Sequence, residues 1–247
     1  RQLNYPEILR SESEDWTSHL QRLEQHHNSR KAETSLGYNV SYRVLNAADY
    51  GVPQKRERVV FVGFRHDLDA NWSFPTPTHS KEALAKDQGK HGTYWERHKI
   101  RPPRWDETSD RNASKACNLK PWQTVRDAIS DLPDPETDAE EAALWNHHRF
   151  QAGARRYPGH TGSPIDEPAK TLKAGVHGVP GGENMLVATD GSVRYFTVRE
   201  CARLQTFPDN FFFQGSWTET MRQLGNAVPV HLAQVVASSV YRKLTGE

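Results

Sequence analysis

The alternation of apolar and polar positions divides the chain into two ordered ends and an irregular middle. Asp15–Leu23 reads as a helix and Tyr38–Leu45 as a strand. A Gly51-Val52-Pro53 turn follows, then a second strand over Arg58–Phe64, whose apolar string Val59–Phe64 is suited to burial. The first 65 residues thus run helix, strand, turn, strand, as at the end of an α/β sheet. From Asp67 to about Leu119 the periodicity collapses into stretches such as "FPTPTHS", "HGTYWERHKIRPPRW" and "ETSDRNAS". Trp72, Phe74, Tyr94, Trp95 and Trp105 need somewhere to pack, so this region reads as irregular but folded.

Order returns towards the C-terminus. Pro121–Leu132 is a short amphipathic helix with Val125, Ile129 and Leu132 on one face. Met185–Thr197 is a hairpin turning at Asp190-Gly191. Thr197 and Glu200 are spaced as a capping box, and Ser216 with Glu219 repeats the device before a helix that Gly225 is placed to stop. Pro229 opens a last helix, Pro229–Leu244, with Leu232, Val235, Val236 and Leu244 as its apolar stripe.

Composition changes this picture little. At 247 residues the chain holds one large domain or two small ones. A hydrophobic share of 35% and a mean hydropathy of −0.84 leave much of it as polar loop or surface. The formal charge of +1 argues neither for nor against a polyanionic partner, but the charges are segregated. Asp131–Glu141 is acidic, whereas Arg149–Lys173 sets Arg149, Arg155, Arg156, Lys170 and Lys173 against Asp166 and Glu167, and such a patch attracts phosphates. Cys117 and Cys201 offer neither metal-ligand spacing nor a disulfide framework, which points to a reducing, cytoplasmic setting. His147 and His148 lack companions for a metal site and read as surface or structural residues. No run approaches transmembrane length. The chain opens "RQLNYPE", without Met, and reads as a piece of a longer protein or one polypeptide of a pair.

Three stretches could carry chemistry. In "QKRER" (54–58), Gln54, Arg56 and Arg58 share one face of an extended segment. Arginine forks suit a carbonyl, carboxylate or phosphate, yet on spacing alone they also fit an edge strand with solvated cations paired to Glu57. Gly153–Gly182 interleaves glycines with Arg155, Arg156, His160, Lys170, Lys173 and His177, which fits nucleic-acid binding and equally a solvated loop. In "QLGNAVPVHLAQ" (223–234), the Gly225-Asn226 junction is either a plain helix C-cap or a small-molecule contact made by Asn226 and neighbouring amides.

In order, these pieces resemble the C-terminal half of the cytosine-C5 DNA methyltransferases. "YGVPQKRERVVFVGF" looks like that family's Gln-x-Arg-x-Arg motif, "RYFTVRECARLQTFPDNFFF" like its penultimate motif and "RQLGNAVPVHLAQVVA" like its last. "EPAKTLKAG" is similar to the Thr-Leu pair late in the target-recognition domain. The resemblance implies the C-terminal part of a Rossmann-like, S-adenosylmethionine-dependent sheet plus a smaller, irregular, β-containing DNA-recognition lobe. The implied division is 1–66 for the end of the catalytic α/β domain, 67–190 for target recognition, and 191–247 returning to the catalytic domain.

It also implies a reaction on double-stranded DNA, typical of restriction–modification systems and at home in the nucleoid. A cytosine is flipped out because its ring is unreachable while stacked. A cysteine thiolate adds at C6, a glutamate assists at N3, C5 takes the methyl group from S-adenosylmethionine, and loss of the C5 proton then expels the thiolate. By carry-over, Arg58 grips the flipped base near O2, with Arg56 and Gln54 in support. Asn226, Ala227 and Val228 border the cofactor, and Thr171 and Leu172 lie near the target nucleotide. Arg155, Arg156, Lys170, Lys173, His177, Gly181 and Gly182 are further DNA-contact candidates. The glycine-rich cofactor loop, the Glu-Asn-Val motif and the Pro-Cys motif are absent, since Cys117 follows Ala116 and Cys201 follows Glu200. The chain by itself is therefore expected to be inactive, with an N-terminal half or partner subunit supplying the nucleophile. A non-catalytic DNA-binding module of the same descent is the alternative.

Overall fold

The computed structural model describes residues 2, 4–28, 37–68, 70–102, 118–159, 161–174 and 184–246. These form a mixed α/β chain that divides into two compact units. Residues 1–44, 59–74 and 239–247 make the first, and residues 45–58 and 75–238 the second.

The first unit holds helix α1 (Trp16–Asn28) and most of strands β1 (Tyr38–Asn46) and β2 (Glu57–Arg65), which pair as a two-stranded sheet. Asp15 caps α1, its carboxylate accepting from Thr17 N–H at 2.7 Å and Ser18 N–H at 3.0 Å. Tyr5 and Leu23 are buried, and the Tyr5 hydroxyl meets His27 Nδ1 at 2.7 Å. The apolar string Val59–Phe64 departs from expectation. Phe64 is buried, whereas Val59 and Phe61 are exposed, because the strand alternates faces and only one of them has a cover.

In the second unit, a 3₁₀ turn (Ala47–Tyr50) ends at Gly51, whose φ of +89° is costly for any other residue. The middle of the chain is less irregular than its sequence implies. Strand β3 (His79–Ser80) pairs in parallel with β4 (Lys120–Pro121). Helix α2 (Lys81–Asp87) starts from Ser80, whose side chain accepts from Ala83 N–H, and one-turn helix α3 (Tyr94–Arg97) follows. The helix expected over Pro121–Leu132 is the shorter α4 (Val125–Ile129). Pro121 is spent in β4, and Thr124 with Asp127 forms a capping box that fixes the start.

Beyond α5 (Ala139–Ala142), strand β5 (Ser163–Pro164) pairs in parallel with β6 (Met185–Val187). Strand β6 pairs antiparallel with β7 (Val193–Tyr195), giving the expected hairpin. Helix α6 (Val198–Leu204) has the Thr197–Glu200 capping box in full. Helices α7 (Trp217–Asn226) and α8 (Val230–Thr245) complete the chain.

The core gathers Val125, Ile129, Leu172, Leu186, Phe196, Cys201, Leu204, Met221 and Leu224, joining α4, α6, α7 and the 163–172 segment. Buried His148 is structural. Its Nε2 donates to Pro133 O at 2.8 Å, so Nδ1 is left to accept from the Thr197 hydroxyl at 2.8 Å. Cys117 and Trp105 lie outside the described residues.

Candidate functional site

Strand β2 is entered through an anchored segment. Asn46 Oδ1 accepts from Arg56 N–H at 3.2 Å, and Ala47 N–H donates to Arg56 O at 2.9 Å. On its other side the segment pairs in parallel with the "EPAKTL" stretch. Ala169 N–H donates to Pro53 O at 3.0 Å, and Lys55 N–H donates to Ala169 O at 2.8 Å. The Thr171 hydroxyl then donates to Lys55 O at 2.7 Å.

The Arg56 side chain crosses this junction, fully buried. It donates to Leu172 O at 3.0 Å, to Gly225 O at 2.7 Å and to Ala227 O at 2.7 Å, and it lies 3.5 Å from Gln54 Oε1. One planar fork therefore gathers three carbonyls from two remote segments, a task suited to guanidinium and poorly suited to a lysine ammonium. Burial, with Arg58 nearby, lowers its pKa to about 10, which leaves it charged at neutral pH. Gln54 is also fully buried, and its Nε2 has no hydrogen-bond partner among the described residues. Arg58 differs sharply. It is half-buried, and its Nη1 donates to the adjacent Glu57 O at 2.7 Å.

Gly225 has a reason beyond stopping α7. A Cβ there would lie 2.2 Å from Ala174 N and 2.6 Å from Lys173 C, so only glycine lets the helix end approach the 173–174 backbone. The helix runs one residue further, to Asn226, which is exposed, as is Val228. Ala227 between them is half-buried, its carbonyl held by Arg56 and its N–H donating to Gln223 O at 3.0 Å.

Two residues that sequence reading did not single out hold the same junction from the α6 side. The Gln205 amide donates to Leu224 O, and Gln205 O accepts from Val230 N–H at 3.0 Å. Thr206, with φ +58°, accepts His231 N–H on its hydroxyl at 2.8 Å. Asn184 is a third. Buried, it pairs both ways with the Lys173 backbone at 3.1 Å. The sequence signals for Gln205 and Thr206 were their place just after a well-capped helix and inside the "RYFTVRECARLQTFPDNFFF" stretch.

The structure thus brings together Gln54, Arg56, Thr171, Leu172 and Ala227, with Asn226 and Val228 alongside. Lys170 is half-buried, its Nζ 2.5 Å from the Thr161 hydroxyl, and Lys173 is exposed. Arg155 and Arg156 are exposed, and among the described residues no hydrogen bond joins them to this cluster. His177, Gly181 and Gly182 lie outside the described residues. Among the described residues no helix is long and apolar enough to cross a membrane.

A family model described as C-5 cytosine-specific DNA methylase matches residues 17–242. Type II methyltransferase M.BsuRI of Bacillus subtilis is 33% identical over 232 residues, covering 83% of this chain and 43% of the relative. Type II methyltransferase M.MthTI of Methanothermobacter thermautotrophicus is 32% identical over 234 residues, covering 85% and 58%. The chain spans about half the length of these curated relatives. Among solved structures, the S. pombe Dnmt2 methyltransferase aligns with a TM-score of 0.48 at 16% identity, over 88% of this chain and 60% of that one. With its model matched along nearly the whole length, this chain belongs to the C-5 cytosine-specific DNA methylase family.

Proposed function

We propose that this chain is the C-terminal portion of a DNA cytosine-5 methyltransferase, contributing target recognition and one wall of the active site. The observation that carries the reading is the Arg56 fork. It ties the "QKRER" segment, the "AKTL" segment and the "GNA" junction into one buried unit, leaving Arg58 and the Asn226–Val228 loop at its edge. A structural arginine at that crossing has one evident use, to fix the neighbouring groups in place.

In this reading Arg58 holds the O2 side of an extruded cytosine. A permanent cation set there in advance stabilises the negative charge that develops as a nucleophile adds to the ring. Arg56 and Gln54 act through Arg58's backbone and do not touch the base. Thr171, Lys170 and Lys173 face duplex DNA, target recognition belongs to the 67–190 portion of the chain, and Arg155 and Arg156 add sequence-independent phosphate attraction. Asn226 and Val228 offer an exposed polar and an exposed apolar side chain on a backbone pinned at Ala227, a set that fits one edge of S-adenosylmethionine. When bound, that cofactor supplies the methyl group. The nucleophilic cysteine belongs to a companion polypeptide or to further sequence of the same protein, acting on DNA in the nucleoid.

The test mixes this chain with the portion of the Bacillus subtilis relative outside the match, and follows transfer of labelled methyl groups from S-adenosylmethionine to duplex DNA. Transfer should require both polypeptides and be lost with Arg58→Ala. Robust transfer by this chain alone overturns the split role. DNA binding without transfer in any mixture favours a non-catalytic binding module.

A further inference from the structure

Helix α6 ends in a Schellman closure. Phe207 N–H returns to Ala202 O at 2.9 Å, and Thr206 N–H returns to Arg203 O at 2.8 Å. That closure needs one left-handed residue, usually glycine or asparagine, and here it is Thr206 at φ +58°. A β-branched side chain is poorly suited to such a backbone, and among the described residues no other one adopts it. Gln205, one residue earlier, carries a second cost. It is fully buried, its Nε2 donates to Leu224 O, and its Oε1 has no hydrogen-bond partner among the described residues. Folded proteins seldom leave a buried acceptor in that state.

Both costs serve one loop. The Gln205 amide holds Leu224 O before the loop, and Gln205 O accepts from Val230 N–H at 3.0 Å after it. The Thr206 hydroxyl accepts from His231 N–H at 2.8 Å and donates to Gln205 O at 2.7 Å. Two consecutive residues thus grip the chain on either side of residues 225–229. They also satisfy two N–H groups in the first turn of α8, which Pro229, without a side-chain oxygen, cannot do. Glycine at 206 would close α6 without strain but could not reach His231. We propose that Thr206 is a positioning residue for the cofactor edge. Its hydroxyl fixes the exit of the Asn226–Val228 loop, as Arg56 fixes its middle at Ala227 O, and so tunes affinity for S-adenosylmethionine without touching it. This rests on the reading above, in which that loop borders the cofactor. Strain held at a residue whose side chain serves a neighbouring site is the pattern expected of such a role.

The test compares Thr206→Ser, which keeps the hydroxyl, with Thr206→Ala and Thr206→Gly, which lose it. Thr206→Gly also relieves the backbone, so its melting temperature should stay near wild type, which separates lost positioning from lost folding. In the chain by itself, amide exchange at Val230 and His231 should rise about 5-fold in the Ala and Gly variants, the factor one helix cap is worth, and stay unchanged in Thr206→Ser. In the mixture with the same portion of the Bacillus subtilis relative, KM for S-adenosylmethionine should rise by a similar factor of about 5 in those two variants. There kcat and the KM for duplex DNA should hold, and Thr206→Ser should match wild type throughout. Unchanged exchange in Thr206→Gly overturns the proposal at its first step. Raised exchange with a wild-type KM for S-adenosylmethionine overturns it too, and leaves the methyltransferase reading intact. A joint rise of both KM values marks a general loosening and likewise overturns it. If the wild-type mixture neither transfers methyl groups nor retains labelled S-adenosylmethionine in equilibrium dialysis, the proposal and the reading fall together.

Discussion

Replacing Arg56 by methionine keeps an apolar stem of similar reach and removes every donor. It leaves the carbonyls of Leu172, Gly225 and Ala227 in a buried junction without the guanidinium that now satisfies them. Each buried acceptor left unsatisfied costs about 1–3 kcal/mol. Against that stands relief from burying a cation, the same burial that lowers the Arg56 pKa to about 10. Removing one side of a buried charged set usually nets a loss of about 3–5 kcal/mol. At about 2–4 °C per kcal/mol for a chain of this size, the melting temperature should fall by roughly 6–20 °C. Arg58→Met, two residues on, removes one bond to an adjacent carbonyl and should stay within about 0.5 kcal/mol. The assay is a thermal melt of both variants, with amide exchange read at residues 171–174 and 226–231, where Arg56→Met should raise exchange. A drop below about 2 °C for Arg56→Met, or equal drops for the two variants, would refute the division of labour between the arginines.

Three further outcomes follow. Gly225→Ala should cost about 1–3 kcal/mol in a melt, because the new Cβ meets the 173–174 backbone and not a side chain that can rotate away; an unchanged melt would mean the helix end is not held there. Burial, with Glu200 beside it, raises the Cys201 thiol well above its usual pKa, so peptide mapping should find Cys201 unalkylated by iodoacetamide in the native protein and labelled in urea. Burial pushes the Asp127 carboxyl up, but the bonds from the Thr124 N–H and hydroxyl and from His98 outweigh it and hold the pKa below the usual value. A folded pKa below the unfolded one gives stability that is complete above the unfolded value and is lost as pH falls through the folded one. Melting temperature should therefore decline below about pH 4, and Asp127→Asn should decline less steeply over the same range; parallel acid limbs would remove Asp127 from that transition.

Local devices were legible in the sequence because they act over three or four residues. The Thr197–Glu200 box, the Asp190-Gly191 turn and the alternation around Gln54–Arg58 are of that kind. Helix α2 could have been read from Ser80 and the "KEALAK" that follows, and was hidden by the prolines and aromatics around it. What could not be read was anything decided by a distant partner. Arg56 and Arg58 look alike in "QKRER", and only carbonyls far along the chain make one a buried tie and leave the other half-open. Gly225 looked like a helix stop, whereas the close approach of Ala174 makes it indispensable. The apolar string Val59–Phe64 reads as suited to burial, but strand alternation sends Phe64 to a covered face and leaves Val59 and Phe61 exposed, a difference set by what packs on each face and not by the string itself.

The Arg56 fork also bears on the order in which the protein becomes itself. Its acceptors lie 116, 169 and 171 positions downstream, so the three bonds close loops spanning most of the second unit. Such closures come late in folding, since their entropy must be met before any reward arrives. On the ribosome, the segment around Arg56 is made long before Gly225 and Ala227 emerge. Until then its charge has no fixed acceptors among them, and the "QKRER" strand entrance waits unfinished. A chain halted before α7 would strand a cation that is meant to be enclosed, so the arrival of Gly225 and Ala227 is the step that closes this junction.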